Sequence, residues 1–364
     1  MAKPKKKKPA SITFMGLTSR ALMIIAASLL VVSYFTFAFN PVKVWVVSLF
    51  GIAFLPLFLL NLFLLIWAIL RRSRAVMIPL LALIPSLFFI GRYVQVNPAK
   101  DFDAPGPDTK IVSYNVGRFA PPKKSRIDDR RECLDSVAAF LRGTDADVIC
   151  LQEFYLPYPE DPKTILASEF PGYKTSYYLY TSKSGYYGNV ILSRYPIRDK
   201  GFVKFDNSTN LAVFTDLEIG ERTVRVYDCH FESYNISPSG VIKSLRNGSD
   251  VLEETGRKMR SGIRRRPVQV DQVISNIASS PVESLVCGDF NDSPLSYTYF
   301  KLRQQRRDSF VDAGRGFGAT YSVLWPLLRI DYVLAPKFMQ AYSHRTPHVR
   351  YSDHYPVIVS LCQQ

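Results

Sequence analysis

A set of polar residues in the C-terminal two-thirds of the chain stands out because each follows or interrupts an apolar run. Asn115 follows IVSY, Glu153 follows DVICLQ and His230 follows VRVYDC. Asp289 and Asn291 follow SLVCG in the run GDFND, Asp331 lies in RIDYVL, and Asp353 and His354 lie in YSDHYPV. Singly, each is ordinary: a strand-end Asn forms turns, and a carboxylate after a buried strand caps a helix. Together they describe a chemistry. Carboxylates from Glu153, Asp289 and Asp353 supply hard oxygen ligands suited to Mg²⁺ or Mn²⁺. The chain has no paired thiolates and 4 histidines, which argues against zinc. A hard cation beside a base that orients water is what in-line attack at phosphorus requires. An Asp–His pair fixes the tautomer and orientation of an imidazole.

The elements that must position these residues alternate between short β-rich runs and helices. Strands are expected at 111–114, 148–151, 189–193, 212–217, 223–229, 284–287, 330–334 and 356–361. Helical spacing of apolar residues covers 128–142 and 267–278. Interspersed strands and helices over residues 110–364 indicate one α/β domain. Residues 241–266 are rich in Lys and Arg with few apolar anchors, and read as a mobile insertion. Residues 93–109 are rich in Pro, Asp and Gly and read as a linker short enough to hold the domain near a membrane. The 5 cysteines (Cys133, Cys150, Cys229, Cys287 and Cys362) show no metal spacing and read as core residues.

The first 100 residues differ from the rest. They hold 12 Lys and Arg and no Asp or Glu, which leaves 34 basic against 31 acidic residues in the remainder. The net charge of +15 is therefore no nucleic-acid signature. Apolar stretches at about 21–39, 44–70 and 75–91 are expected as three transmembrane helices, making residues 1–92 a membrane anchor. Lys3 to Lys8 and Arg71 to Arg74 are placed inside by the positive-inside rule. An odd number of crossings then puts the α/β domain on the extracytoplasmic side of the cytoplasmic membrane.

The motifs SYNV, LQEF, GNVILSRYPI, DCHFES, GDFND, RIDYVL and SDHYPV, in this order over residues 110–364, resemble the endonuclease/exonuclease/phosphatase superfamily of metal-dependent phosphoesterases, and the fuller pattern GDFNDSPLSYTY resembles its membrane-anchored bacterial members. The resemblance implies a four-layer sandwich, two mixed β-sheets flanked by helices. It implies Glu153 as the principal metal ligand, with Asn115 and Asp353 near the cation. Asp289 would orient the attacking water, Asn291 would hold the phosphate, and His354, paired with Asp331, would bind a phosphate oxygen. His230 matches a histidine suited to protonating the leaving group. The expected substrate is a phosphodiester or phosphomonoester, either a lipid headgroup phosphate or extracellular nucleic acid. A catalytically silent scaffold is the alternative of another class. The sequence names no protein partner.

Overall fold

A computed structural model describes residues 10–96, 108–121, 127, 129–234 and 249–364. The N-terminal apolar part contains α1 (Ala10–Ser33), α2 (Trp45–Ile52), α3 (Phe54–Leu70) and α4 (Met77–Leu83), followed by β1 (Val94–Val96). The expected three spans are not three continuous helices. Among the described residues one helix, over Gly16–Ser33, is long and apolar enough to cross a bilayer. The second stretch is broken, with α2 and α3 meeting at 58°. Pro56 explains the break: it lacks an N–H, and its ring would clash with the carbonyl four residues back, at Ile52, where α2 ends. The third stretch has α-helix only over Met77–Leu83. It continues as 3-10 turns from Ile84, where Pro85 cannot extend the α-helical ladder. α1, α3 and α4 pack on one another, and the buried Asn61 ties α3 to α1 by donating to the Ala26 carbonyl at 3.0 Å.

The remaining elements are β2 (Asp108–Asn115), α5 (Arg130–Gly143), β3 (Val148–Pro157), α6 (Pro162–Glu169), β4 (Lys174–Thr181), β5 (Gly185–Ser193), β6 (Ile197–Lys204), β7 (Leu211–Ile219), β8 (Arg222–His230), α7 (Ser249–Ala278), β9 (Ser284–Asp289), α8 (Tyr297–Arg303), β10 (Arg306–Asp308), α9 (Ser309–Ala313), β11 (Arg315–Phe317), β12 (Asp331–Pro336), β13 (Met339–Arg345) and β14 (Val357–Gln363). They form two mixed six-stranded sheets, β13-β14-β2-β3-β5-β4 and β10-β12-β9-β8-β7-β6. Side chains alternate between faces, so each central strand serves two cores. Ile111, Val148 and Cys150 of one sheet meet Val226, Leu285 and Cys287 of the other. Val112, Tyr114 and Ile149, on the outer face of the first sheet, pack under Leu134, Val137 and Leu141 of α5. Tyr227 and Val286 on the other sheet pack under Val270 and Val273 of α7 and Tyr299 and Leu302 of α8. The result is the expected α/β arrangement, two sheets flanked by helices. All 5 cysteines are buried free thiols.

Two expectations about connecting segments change. From Ser249 onward the basic segment is helix, continuous with the expected 267–278 helix, so α7 runs for 30 residues through Pro267; residues 241–248 lie outside the described residues. Its buried stripe contains Gly262, Ile263, Arg266, Gln269, Val270 and Val273, and three of these are not apolar. That mixture hides the helical period.

The linker reading fails at its start, because Val94–Val96 is a strand paired antiparallel with β11, Val94 opposite Phe317 and Val96 opposite Arg315. Residues 97–107 lie outside the described residues. β1 is one part of a wider seam between the apolar helices and the domain. Thr36 Oγ1 donates to the Leu295 carbonyl at 2.7 Å, Ser293 Oγ to the Gly51 carbonyl at 3.1 Å, and Arg329 Nη1 to the Arg92 carbonyl at 3.0 Å. Phe37 stacks on Phe300 with ring centroids 4.2 Å apart, and the Arg92 guanidinium lies 4.6 Å from the same Phe300 ring.

Candidate active site

The site forms where the strand ends of the two sheets converge. β2 and β3 run parallel, as do β8 and β9, so Asn115, His230 and Asp289 lie at carboxyl ends, and Glu153 follows Gln152, the last residue of β3 paired with β2. In register, Asp289 faces His230 on one side and Asp331 on the other. Two backbone irregularities aim the side chains. A register shift between Leu151 and Phe154 places Glu153 at φ +53°, and the turn after β9 places Asn291 at φ +52°. Non-glycine residues rarely adopt this region, and such positions persist where the surroundings over-determine them. Gly288 has no alternative: at φ +126°, an added Cβ would lie 2.0 Å from the Cys229 carbonyl oxygen.

Asn115 Nδ2 donates to Asp289 Oδ2 at 3.0 Å and to Glu153 Oε1 at 3.3 Å, while its Oδ1 accepts from the Gly117 N–H at 3.0 Å. Asn291 donates from its backbone to Asp289 Oδ1 at 2.8 Å and from its amide to Asp289 Oδ2 at 3.1 Å and to the Phe231 carbonyl at 2.9 Å. His354 Nδ1 is 3.0 Å from Asp331 Oδ2, which leaves Nε2 facing Asp289 Oδ2 at 3.7 Å. His230 Nε2 lies 3.7 Å from Glu153 Oε1 and 3.9 Å from Asp289 Oδ2. Asp353 is different: it is exposed, and it touches the group through Ser352, whose hydroxyl donates to the Asn115 carbonyl at 2.8 Å and lies 3.3 Å from Asp353 Oδ1. The structure therefore gathers Asn115, Glu153, His230, Asp289, Asn291, Asp331 and His354 into one contact network, with Asp353 at its rim.

Burial dominates the electrostatics. It pushes the Asp289 carboxyl up to about 7, with the Asp331 charge adding to the rise and His354 opposing it. Burial alone would lower His354, but the carboxylates of Asp331 and Asp289 hold it well above the usual imidazole range. His230 is pushed below that range by burial despite Glu153 beside it. For Glu153 burial works upward, and His230, His354, Asn115 and Arg118 together hold it below the ordinary value.

The donor set fits a hard divalent cation. Asp289, Asp331 and His354 offer ligand atoms within 4.8 Å of one another, and Glu153 adds a carboxylate across Asn115. The tightest cluster is thus on the Asp331–His354 side rather than at Glu153 and Asp353. Sequence reasoning missed several supporting residues. Arg118 sits 3.5 Å from Glu153 Oε2 and packs on the Tyr187 ring; Thr320 Oγ1 accepts from the Asp331 N–H at 3.1 Å. Gln152 donates to the buried Asp228 at 2.5 Å, and Arg266 pairs with Asp292 at 2.9 Å. Both of these pairs carried a signal, Gln152 lying inside LQEF, Asp228 inside DCHFES and Asp292 inside GDFND.

The fold recurs in solved structures. An endonuclease/exonuclease/phosphatase protein from Beutenbergia cavernae aligns at 19% identity and TM-score 0.50, covering 71% of this chain and 72% of that one. The human Nocturnin catalytic domain with bound sulfate aligns at 14% identity and TM-score 0.52, over 74% of this chain and 100% of that one. A Bacteroides thetaiotaomicron family protein aligns at 14% identity and TM-score 0.51, over 71% of this chain and 96% of that one. These likenesses concern the fold. No curated protein matches the chain. A family model described as a domain of unknown function matches residues 14–93. The model of the Endonuclease/Exonuclease/phosphatase family, whose members are hydrolases of phosphate esters, matches residues 112–354, two-thirds of the sequence, and the chain belongs to that family.

Proposed function

We propose that this protein is a membrane-anchored phosphoesterase that uses Mg²⁺ or Mn²⁺ to hydrolyse a phosphodiester or phosphomonoester, with a lipid headgroup phosphate as substrate. The observation that carries the hydrolytic reading is the convergence of Glu153, Asp289, His230 and His354, with Asp331 behind His354. Glu153, with Asn115 beside it and Asp353 at the rim of the network, would hold the cation, which when bound neutralises charge on the phosphoryl oxygens. Asp289, fixed by Asn115 and Asn291, orients the attacking water and accepts its proton. His354, oriented by Asp331 and held protonated by the carboxylates around it, donates from Nε2 to a phosphoryl oxygen, and the Asn291 amide would join it on release of the Phe231 carbonyl it now holds. The proton that Asp289 accepts passes to His230, whose Nε2 faces Asp289 Oδ2 at 3.9 Å, and from there to the departing oxygen, so the imidazole that burial keeps neutral at rest carries it only in transit.

Membrane anchoring is supported by the outer faces of α1, α3 and α4. Just 28% of Gly16–Ser33 is buried, and Leu22, Ile25, Leu59, Phe63, Ile66 and Leu81 are exposed. A contiguous apolar surface of this kind marks an interaction site, here a bilayer. The seam with the domain lies at the Thr36–Val44 end of these helices, opposite the basic Arg71–Arg74 turn, which agrees with a domain on the extracytoplasmic side. A domain docked this way favours a lipid phosphate over a free polynucleotide.

The test is hydrolysis by the full chain in detergent or vesicles, with Mg²⁺, Mn²⁺ or EDTA. The panel is bis-p-nitrophenyl phosphate, phospholipid vesicles and plasmid DNA, and Glu153→Ala and His354→Ala are the controls. Metal-dependent turnover of vesicle lipid, lost in the controls, is expected. Cleavage of DNA alone would make it a surface nuclease, and metal binding without turnover of any substrate would make it a scaffold.

A further inference from the structure

A second candidate site lies on the flank of α7, away from the catalytic network. There a cavity of about 590 Å³ opens between α7, the turn at Asp206 and Asn207, and Val42 in the loop joining α1 to α2. Arg257, Arg260, Arg264 and Arg265 line it, spaced so that one face of the helix presents all four, against one acidic residue, Asp206. Arg265 is engaged, donating to the Asn207 carbonyl at 3.1 Å and lying 3.7 Å from Glu232, and Arg260 lies 6.0 Å from the Trp45 ring. Arg264 makes no ion pair among the described residues, and Arg257 feels the charge of Glu254 on the preceding turn without a close ion pair. The face of α7 turned away from the cavity is committed to the domain, where Arg266 pairs with Asp292 at 2.9 Å, and Gln269 at the cavity's edge accepts the Glu232 N–H at 2.8 Å. The cationic face is therefore not a by-product of packing.

We propose that this cavity holds the phosphate-bearing headgroup of an anionic membrane lipid, as a docking site distinct from the active site. The inference rests on the placement of α1 in a bilayer. Its occupant follows from position. Val42 belongs to the segment where α1 ends and α2 begins, and its neighbours Phe39, Val44 and Val46 are exposed apolar residues beside the exposed Lys43. With α1 in a bilayer, the opening stands at the rim of the apolar belt, at headgroup depth, with Val42 on one side and guanidinium groups on the other. Guanidinium groups match the bidentate geometry of a phosphate. A polynucleotide would instead need a continuous basic track, and the domain beyond residue 100 is nearly balanced in charge.

Native mass spectrometry of the detergent-solubilised full chain, titrated with phosphatidylglycerol or phosphatidylcholine, tests this. Phosphatidylglycerol should bind in preference. Arg257→Gln/Arg264→Gln should weaken it by about thirtyfold, roughly fivefold for each charge. Arg257→Lys/Arg264→Lys should keep most of the affinity, and matched thermal unfolding should show that both variants fold. Equal affinity for the two lipids, or an unchanged affinity in the glutamine variant, overturns the proposal. So does binding of inorganic phosphate or a single-stranded oligonucleotide as tightly, and with the same arginine dependence, as phosphatidylglycerol. Alkaline carbonate extraction from vesicles separates the two levels. Release of the wild-type chain overturns the membrane placement and this site with it; retention without arginine-dependent preference overturns this site alone.

Discussion

Replacing Asp228 by asparagine will stabilise the protein at neutral pH. Asp228 is fully buried between the sheets, where Gln152 holds Oδ1 at 2.5 Å and Oδ2 has no hydrogen-bond partner among the described residues. Burial pushes its carboxyl from 3.8 up to about 8, with Gln152 offsetting part of the rise. The folded state therefore keeps a proton that the unfolded chain gives up. Stability is complete below the unfolded value, falls as pH rises through the window between 3.8 and about 8, and levels off above it. Each pH unit amounts to about 1.4 kcal/mol, so the loss accumulated by pH 7 is roughly 4 kcal/mol. Asparagine cannot ionise, and its amide places an N–H donor where Oδ2 stands. Guanidinium unfolding of the full chain in detergent should show Asp228→Asn more stable than wild type near pH ~8, with the gain shrinking toward zero near pH ~4. A gain independent of pH, or a variant less stable at the alkaline end, would refute the assignment of a neutral buried acid.

Glu153→Gln and His354→Ala should each lower turnover of bis-p-nitrophenyl phosphate by about 10²–10³, the loss usual for one group that stabilises transition-state charge, when assayed at a temperature where thermal unfolding shows both variants folded. Gly288→Ala should abolish accumulation of folded protein, since its Cβ has no space beside the Cys229 carbonyl; expression followed by size-exclusion chromatography reads this directly. Asp308→Asn should destabilise by about 3–5 kcal/mol in denaturant unfolding, because it leaves the Arg329 guanidinium buried without the carboxylate now 2.5 Å away.

The catalytic set was legible because β-strands end where buried apolar runs stop, and a polar residue at such a stop is visible in one dimension. Asn115, His230 and Asp289 have that form, while Glu153 interrupts the apolar run of β3, Asp331 opens β12 and His354 precedes β14. Their supports were not, for reasons specific to each. Arg118 reaches Glu153 from a loop with no pattern of its own, and Thr320 meets Asp331 across a chain reversal. Gln152 and Asp228 are polar residues on inward faces of central strands, so alternation reads them as errors rather than as partners. Edge strands β4, β6 and β13 escaped because their mixed burial blurs the period of two. The helix α7 escaped because arginine and glutamine occupy part of its buried stripe. The apolar N-terminus was over-read in the other direction: hydropathy sums length and does not register that Pro56 and Pro85 interrupt the backbone ladder.

The pairing of β1 with β11 imposes an order on biosynthesis. Val94 leaves the ribosome about 220 residues before its partner Phe317, so the strand must wait, at ~5–20 residues per second, for roughly 10–45 s. During that interval the apolar helices are already made and the half of the domain that would receive β1 does not exist. Closure of this seam is therefore a late event of maturation, and an arrested or C-terminally truncated chain would leave the helices made and the catalytic unit undocked.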